Sequence, residues 1–477
     1  MVKKVTLIPG DGIGPEVAYA TKSIIEAAGA KIEWEICEAG SKTFEKGIAT
    51  GVPQETIDSI KRNRIAIKGP LETPVGYGGK SANVTLRKLF DTYGNIRPVK
   101  RIPGIQSPYA HYNIDMVIVR ENVEDLYTGI EHMQTPDTAQ TLKLITRQGS
   151  EKIARLAFEL ALAEGRKTVH CATKANIMKL SEGMMKRTFE EVAKDYPSII
   201  AQHIIVDNCA HQMVLNPEQF DIIVTTNMNG DILSDLGSAL VGGLGIAPGA
   251  NLASDLAIFE AVHGSAPNIA GQNKANPTAF LLSALMMLRR INEFEIANLI
   301  EQSIFVTIAN GRYLTEDIAI NQTAASTNDF TQAVIRNLGK THPEWEQRDY
   351  KPLKMANKTL PTTKVDQKTI GVDIFVDSKE LPELLGKNIE KQLDGMPVYL
   401  KLVANRGIQV YPMVGGISLE CLPHYQCRIF SEDGSHLDDE VLRKVIERIG
   451  AKYQWCQIEK LYTYNGENAF SQMQGES

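Results

Sequence analysis

Apolar positions along the first 230 residues fall into short runs separated by stretches of helical spacing. Val5–Ile8 is strand-like, Val17–Ala28 helical, Ile32–Glu38 strand-like, Pro53–Asn63 helical and Ile65–Lys68 strand-like. The alternation resumes with "DMVIVRE" as a strand, "SEKIARLAFELALAEG" as an amphipathic helix, "KTVHCATK" as a strand and "GMMKRTFEEVAKDYP" as a helix. "FDIIVTTN" closes the series as a further buried strand. Strands alternating with helices predict an α/β unit with a largely parallel sheet.

The pattern changes after Gly339. "GKTHPEWEQRDYKPLKMANKTLPTTKVDQKT" is polar and Pro-containing, without clear periodicity, and reads as a linker. Beyond it come a strand (Thr369–Val376), a helix (Lys379–Leu393), strands at Val398–Leu402 and Gln426–Phe430, a helix (Asp438–Ile449) and a strand (Trp455–Tyr462). This is the β-α-β-β-α-β order of a ferredoxin-like unit, and it carries no obvious chemical cluster.

"IPGDGIGPE" sits between the first strand and the first helix. A dinucleotide fingerprint needs G-x-G-x-x-G at this point, but Gly10, Gly12 and Gly14 read G-x-G-x-G. Pro15 suits the first turn of a helix. The stretch reads more simply as a strand-to-helix turn.

The bulk numbers narrow the function classes. The 477 residues suffice for two or three domains, with 43% hydrophobic and 23% charged residues, the balance of an ordinary globular chain. A net charge of −6 offers no field for nucleic acid. No apolar run reaches membrane-span length. Six scattered cysteines form no C-x-x-C pair, and no leader is visible, so a cytoplasmic location with reduced thiols is expected.

Five segments carry candidate chemistry. In "NMNGDILSDLGSALVGGLGIAPGAN", Asp231 and Asp235 lie four apart, one turn apart on one helix face. Two carboxylates so placed suit Mg²⁺ or Mn²⁺, although acids also favour a solvated helix start. "KSANVTLRKLFDTYGNIRPVK" supplies Ser81, Asn83, Arg87 and Arg97, and "VIVRENVEDLYTGIEH" supplies Arg120 and Tyr127. Three arginines from separate segments can fork onto a polycarboxylate; singly, each reads as a surface ion pair. "CATKANIMKLSEG" places Lys174 after a strand, either as an acid or base or as a solvated loop lysine. "FEAVHGSAPNIAGQNKANPTA" is a long irregular loop that could surround a nucleotide.

Together and in order, these segments resemble the isocitrate/isopropylmalate (β-decarboxylating) dehydrogenases over roughly residues 1 to 340. The isocitrate members are the nearest match, and the C-terminal unit resembles the extra domain of some bacterial members. The resemblance implies an α/β fold that is not a Rossmann fold. It has a large domain (1–120 and 255–340), a small domain with dimer contacts and metal aspartates (121–254), a linker (341–369) and a C-terminal α+β ferredoxin-like domain (370–477). It places the nucleotide in the loop Glu260–Asn276, with "GDGIGPE" adjacent. His263, Gly264, Asn268, Ile269, Asn276 and Asp317 then belong to the cofactor site, with Thr73 near the nicotinamide.

For the substrate, the resemblance assigns Arg87, Arg97 and Arg120 to the carboxylates. Isopropylmalate members present apolar side chains where this chain has Ser81 and Asn83, which suit a further carboxylate. Isocitrate is therefore expected, in the tricarboxylic acid cycle, with homoisocitrate and tartrate as the alternatives. The serine matching Ser81 is a phosphorylation site in some bacterial relatives. Asp231 and Asp235, with Asp207 of a second subunit, are expected to hold Mg²⁺ or Mn²⁺, which acidifies the C2 hydroxyl and stabilises the enolate formed as CO₂ leaves. Tyr127, with Lys174 of a partner subunit, is expected to protonate the enol, so a homodimer with shared sites follows. NADP-preferring members typically place Lys-Tyr after "HGSAP", and NAD-preferring members Asp-Ile. Asn268-Ile269, with Glu316 in "LTEDIAIN", points to NAD, with NADP as the alternative, since Lys274 or Arg312 could reach the site. A non-catalytic regulatory homologue would have lost Tyr127, Lys174 or an aspartate, and none is lost. The C-terminal unit is compatible with a ligand-sensing role but shows no ligand motif.

Overall fold

The computed structural model describes residues 2–72, 81–320, 322–343, 345, 347–355, 359–362, 364–413 and 419–476. They form two units: residues up to Thr128 together with Lys143–Leu360, and Gly129–Leu142 together with Pro361 onward.

In the first unit the strands are β1 (Lys3–Ile8), β2 (Ile32–Ile36), β3 (Ile65–Lys68), β4 (Gly94–Lys100) and β5 (Asp115–Glu121). Between β5 and the next strand of this unit the chain forms β6 (Glu131–Thr135) and β7 (Thr138–Thr141), and then come β8 (Thr168–Thr173), β9 (Ile200–Ile205), β10 (Ile222–Thr225), β11 (Pro248–Leu252) and β12 (Ala257–Ala261). Ten of these build one sheet in the order β2-β1-β3-β12-β11-β4-β5-β10-β8-β9. Both wings are parallel, while β12, β11, β4 and β5 pair antiparallel with their neighbours in the middle. β8, β10 and β12 are buried along nearly their whole length, as strands covered on both faces must be. β5 pairs with β10, which lies beyond the boundary expected at residue 120, so the proposed large and small domains share one sheet.

Local sequence explains the helices that position the site. Gly14–Ala27 opens with Pro15 in its first turn. Arg147–Glu164 is capped by the Thr146 hydroxyl, which accepts the Gly149 N–H at 2.9 Å, and stops at Gly165 with φ +65°. The stretch expected as a linker is held on this unit as far as Leu360. Trp345 packs at a tilt against Phe305, Arg348 donates to Asp115 at 2.9 Å, and Leu360 N–H donates to Glu151 at 2.6 Å.

The second unit contains β13 (Gln367–Asp377), β14 (Val398–Asn405), β15 (Ile408–Tyr411), β16 (Tyr425–Ser431), β17 (Gln454–Tyr464) and β18 (Glu467–Asn468). They form an antiparallel sheet in the order β15-β14-β16-β13-β17-β18, with helices Pro382–Leu393 and Asp439–Gly450. The ferredoxin-like β-α-β-β-α-β path is present. β15 extends it through a tight turn at Arg406 and Gly407, both at positive φ. The β6–β7 hairpin was not visible in the periodicity. It groups with this second unit, where β6 packs beside β17. Its polar alternation makes sense as a strand pair with little core of its own.

Candidate active site

β4 and β5 run antiparallel with Asn95 opposite Arg120 and Arg97 opposite Ile118. Side chains alternate along a strand, so Asn95, Arg97 and Arg120 share one face. Arg120 is 1% exposed and lies across the start of the helix Asn227–Val241, where its Nε and an Nη donate to Asn227 Oδ1 at 2.9 and 2.7 Å. A Cβ at Gly230 would stand 2.6 Å from Arg120 Cγ, so only glycine admits this approach. Arg97 donates to Asn95 at 2.7 Å and to Ser234 at 2.5 Å.

Asp231 and Asp235 project from that helix one turn apart. Asp231 Oδ1 accepts from Arg120 and from Arg97 (3.2 Å), Asp235 lies 3.6 Å from Arg97, and Tyr127 donates its hydroxyl to Asp231 Oδ2 at 2.5 Å. Burial works against ionising Asp231, but Arg120, the Tyr127 hydroxyl, Arg97 and Arg87 together hold its carboxyl below the usual range. Burial, then Arg97 and Arg87, depress Arg120 to about 10. Burial, then the bond to Asp231, push the Tyr127 phenol up.

Ser81 occupies the N-cap of the helix Ala82–Leu89 yet makes no capping bond to it. Asn83 Oδ1 and Arg87 Nε are buried without a partner among the described residues. Helix N-terminal N–H groups, a hydroxyl, an amide and a guanidinium are a natural setting for an anion. Arg87 also donates to Glu260 at 3.1 Å, beneath which Lys68 is fully buried against the same carboxylate. Asn251 donates to Glu260 at 2.6 Å and accepts from Asn95 at 3.0 Å. Burial opposes the Glu260 charge, but Lys68 and Arg87 outweigh it and hold the carboxyl far below its usual value. Thr73 lies outside the described residues.

The loop after β12 is tied to the first glycine turn. Ile13 N–H donates to Ser265 O at 2.8 Å, and a Cβ at Gly12 would meet that same oxygen at 2.0 Å. Glu16 accepts the N–H groups of Asn273 and Ala275 at 3.2 and 2.9 Å and also the Thr327 hydroxyl. Within the loop, His263 is folded back so that its Nδ1 lies 3.0 Å from Gly264 O, leaving Nε2 buried without a partner among the described residues. Burial lowers its pKa. Asn268 and Ile269 belong to the short turn Pro267–Ile269, with Asn268 exposed. Asn276 donates to Asp317 at 2.9 Å, and Lys274 lies 3.7 Å from Glu316. On another edge, Lys174 Nζ donates to Asp207 Oδ1 at 2.6 Å, holding that exposed carboxylate below its usual range.

Residues 4–334 match the isocitrate/isopropylmalate dehydrogenase family, and residues 367–476 match the bacterial isocitrate dehydrogenase C-terminal domain. The chain belongs to the isocitrate/isopropylmalate dehydrogenase family. It is 56% identical to an isocitrate dehydrogenase [NADP] of Thermus thermophilus, covering 99% of this chain and 96% of that one. It is 43% identical to a mitochondrial isocitrate dehydrogenase [NAD] catalytic subunit of Arabidopsis thaliana, over 70% of this chain and 88% of that one. A crystal structure of a protein from Thermus thermophilus superposes with a TM-score of 0.95 at 55% identity, covering 100% of this chain and 97% of that one.

The isocitrate/isopropylmalate dehydrogenase family implies a nicotinamide cofactor and a divalent cation. Asp231 and Asp235 offer two oxygen ligands of the hard type that Mg²⁺ or Mn²⁺ takes. Among the described residues of one chain, no three His, Cys, Asp or Glu side chains gather as a metal site. Exposed Ile177, Leu180 and Ile232 lie in the segments that carry Lys174 and the aspartates. Periodicity missed the polar ladder Lys68–Glu260–Asn251–Asn95 and the anchoring roles of Asp11 and Glu16. Asp11 accepts the N–H of Ser41 at 3.0 Å and that of Glu72 at 2.8 Å. The only signal for the ladder was polar residues inside buried strands.

Proposed function

We propose that this chain is an isocitrate dehydrogenase that oxidises and decarboxylates isocitrate to 2-oxoglutarate and CO₂, using a divalent cation and NAD, in a homodimer with shared sites. The carrying observation is the convergence of Arg97, Arg120, Asp231 and Tyr127 on one face of β4 and β5. Ser81 and Asn83 favour a third carboxylate over an isopropyl group, because an unpaired carboxylate against apolar side chains would be costly.

Arg87, Arg97 and Arg120 orient the carboxylates by forked hydrogen bonds. Asp231 and Asp235, with Asp207 of the partner subunit, would hold Mg²⁺ or Mn²⁺, which when bound supplies Lewis acidity toward the substrate's hydroxyl and carboxylate oxygens. The loop Glu260–Asn276 would hold the nicotinamide cofactor, which when bound supplies a hydride acceptor. Tyr127, with Lys174 of the partner subunit, delivers the proton that replaces CO₂ on the substrate carbon. A phenol is protonated at neutral pH and so able to donate.

NAD is favoured because Asn268 brings no cation to an adenosine 2′-phosphate, while Lys274 is paired with Glu316 and Arg312 lies over Tyr313. Against this, the 56% identical full-length relative is NADP-named, while the NAD-named Arabidopsis subunit matches 70% of this chain. The test is absorbance of the reduced nicotinamide after adding isocitrate and Mg²⁺, with isopropylmalate and homoisocitrate as controls and both cofactors compared. Turnover of isopropylmalate or homoisocitrate in preference to isocitrate would overturn the reading. No helix among the described residues is long and apolar enough to cross a membrane, and a cytoplasmic location is proposed.

A further inference from the structure

Three segments of the first unit carry the proposed chemistry: the loop of Tyr127, the helix of Asp231 and Asp235, and the turn of Lys174. One cation touches the anchors of all three. Lys143 Nζ donates to Asp125 Oδ1 at 2.5 Å and lies 2.8 Å from Glu182 Oε1. Both carboxylate side chains are 0% exposed.

Each carboxylate in turn holds catalytic backbone. Asp125, at φ +65°, accepts the Leu126 N–H at 2.8 Å, immediately before Tyr127. Its other oxygen accepts the Met228 N–H at 2.9 Å, in the first turn of the aspartate helix. Glu182 accepts the backbone N–H of Lys174 at 3.0 Å and the Thr226 hydroxyl, at the cap of the aspartate helix, also at 3.0 Å. Two buried carboxylates converging on one point repel unless a cation sits between them. Lys143 is also the first residue after the segment Gly129–Leu142, which leaves the first unit just beyond Tyr127.

We propose that Lys143 is a positioning residue for the reaction: its ammonium, shared by Asp125 and Glu182, keeps the Tyr127 loop, the Asp231 helix and the Lys174 turn in register. The inference rests on the isocitrate reading. In that reading Tyr127 serves the chain's own site and Lys174 its partner's, so a single buried cation joins the two sites of a dimer. Arg87 stands on the helix Ala82–Leu89, and Arg97 and Arg120 stand on β4 and β5, elements whose backbone the two carboxylates do not hold, although Arg97 and Arg120 also bond the aspartate helix. Loss of Lys143 therefore impairs turnover more than substrate binding.

The experiment compares full-length wild type, K143M and K143R by steady-state kinetics with isocitrate, normalised to the folded fraction by circular dichroism. A misplacement of about 1 Å costs on the order of 10²-fold in rate, so K143M is expected to lose about that much kcat. KM for isocitrate should hold within about threefold, the signature of an interaction made chiefly in the transition state. K143R, which keeps the charge, is expected to recover a clear part of the loss. If K143M does not fold, E182Q replaces it, with the same split between kcat and KM expected. A folded K143M or E182Q with wild-type kcat overturns the proposal, as does K143R performing no better than K143M. Wild-type protein that turns over no isocitrate overturns the functional reading itself and this inference with it; active wild type with unaffected variants overturns the Lys143 role alone.

Discussion

Tyr127 donates its hydroxyl to Asp231 at 2.5 Å, so the candidate proton donor and a candidate metal ligand are in direct contact. Replacing Tyr127 by Phe keeps the ring near Arg120, whose guanidinium lies 5.0 Å from the ring centroid, but removes the proton. The expected result is a fall in kcat of roughly 10²–10⁴-fold, the usual size of general acid catalysis. KM for isocitrate and the melting temperature should barely move. A kcat near wild type would remove Tyr127 from the chemistry.

Metal dependence follows from the aspartate pair. EDTA should abolish turnover, and Mn²⁺ or Mg²⁺ should restore it. Asp231→Asn substitutes a neutral amide for a hard anionic ligand. The Mn²⁺ concentration for half-maximal activity should then rise at least about tenfold, since even outer-shell changes produce that much. An unchanged Mn²⁺ titration would show that Asp231 is not a ligand.

Lys174 and Asp207 pair with each other, and among the described residues no third His, Cys, Asp or Glu joins Asp207 in a metal cluster. If both serve a neighbour's site, Lys174→Ala and Tyr127→Phe should complement one another. Mixed in equal amounts with free subunit exchange, the two inactive variants should regain about a quarter of wild-type activity, because half of the symmetric dimers become hybrids with one intact site. Proven exchange without recovery would mean each site is built within one chain.

Glu121 gives a pH-dependent stability. Burial outweighs the Val123 and Glu124 amides and raises its carboxyl from 4.5 to about 7. Folded protein therefore binds this proton more tightly than unfolded protein. The resulting penalty is absent below about pH 4.5, grows as pH rises to about 7 and is constant above, reaching roughly 3 kcal/mol. Glu121→Gln, which keeps an acceptor for those amides, should be more stable than wild type at pH 8 and nearly equal at pH 4. Denaturant titrations at the two pH values measure it; an equal gap at both would refute the shift.

Cofactor choice rests on the turn Pro267–Ile269. Asn268→Lys with Ile269→Tyr adds a cation and an aromatic ring where a 2′-phosphate would lie, and should move the kcat/KM ratio toward NADP. In wild type, a preference for NADP of tenfold or more, about 1.4 kcal/mol in transition-state terms, would overturn the choice of NAD.

What the chain determined by itself was local. Apolar runs placed β1, β5, β8 and β10, and four-residue spacing put Asp231 and Asp235 on one helix face, because strand and helix periods are properties of neighbouring residues. Motif order carried the family, and the near-miss at Gly10, Gly12 and Gly14 correctly argued against a dinucleotide fingerprint. Strand order was not local. Asn95 meets Asn251 across 156 positions and Arg87 meets Glu260 across 173, only because β11 and β12 insert between β3 and β4. The β6–β7 hairpin was invisible for a related reason: its short polar strands have no buried face whose period could announce them. Lys143 likewise stands between Leu142 and Leu144 with no motif to mark it. Folding buried Asp125 and Glu182 on either side of it, and a carboxylate without water requires a cation that only the tertiary structure could bring there.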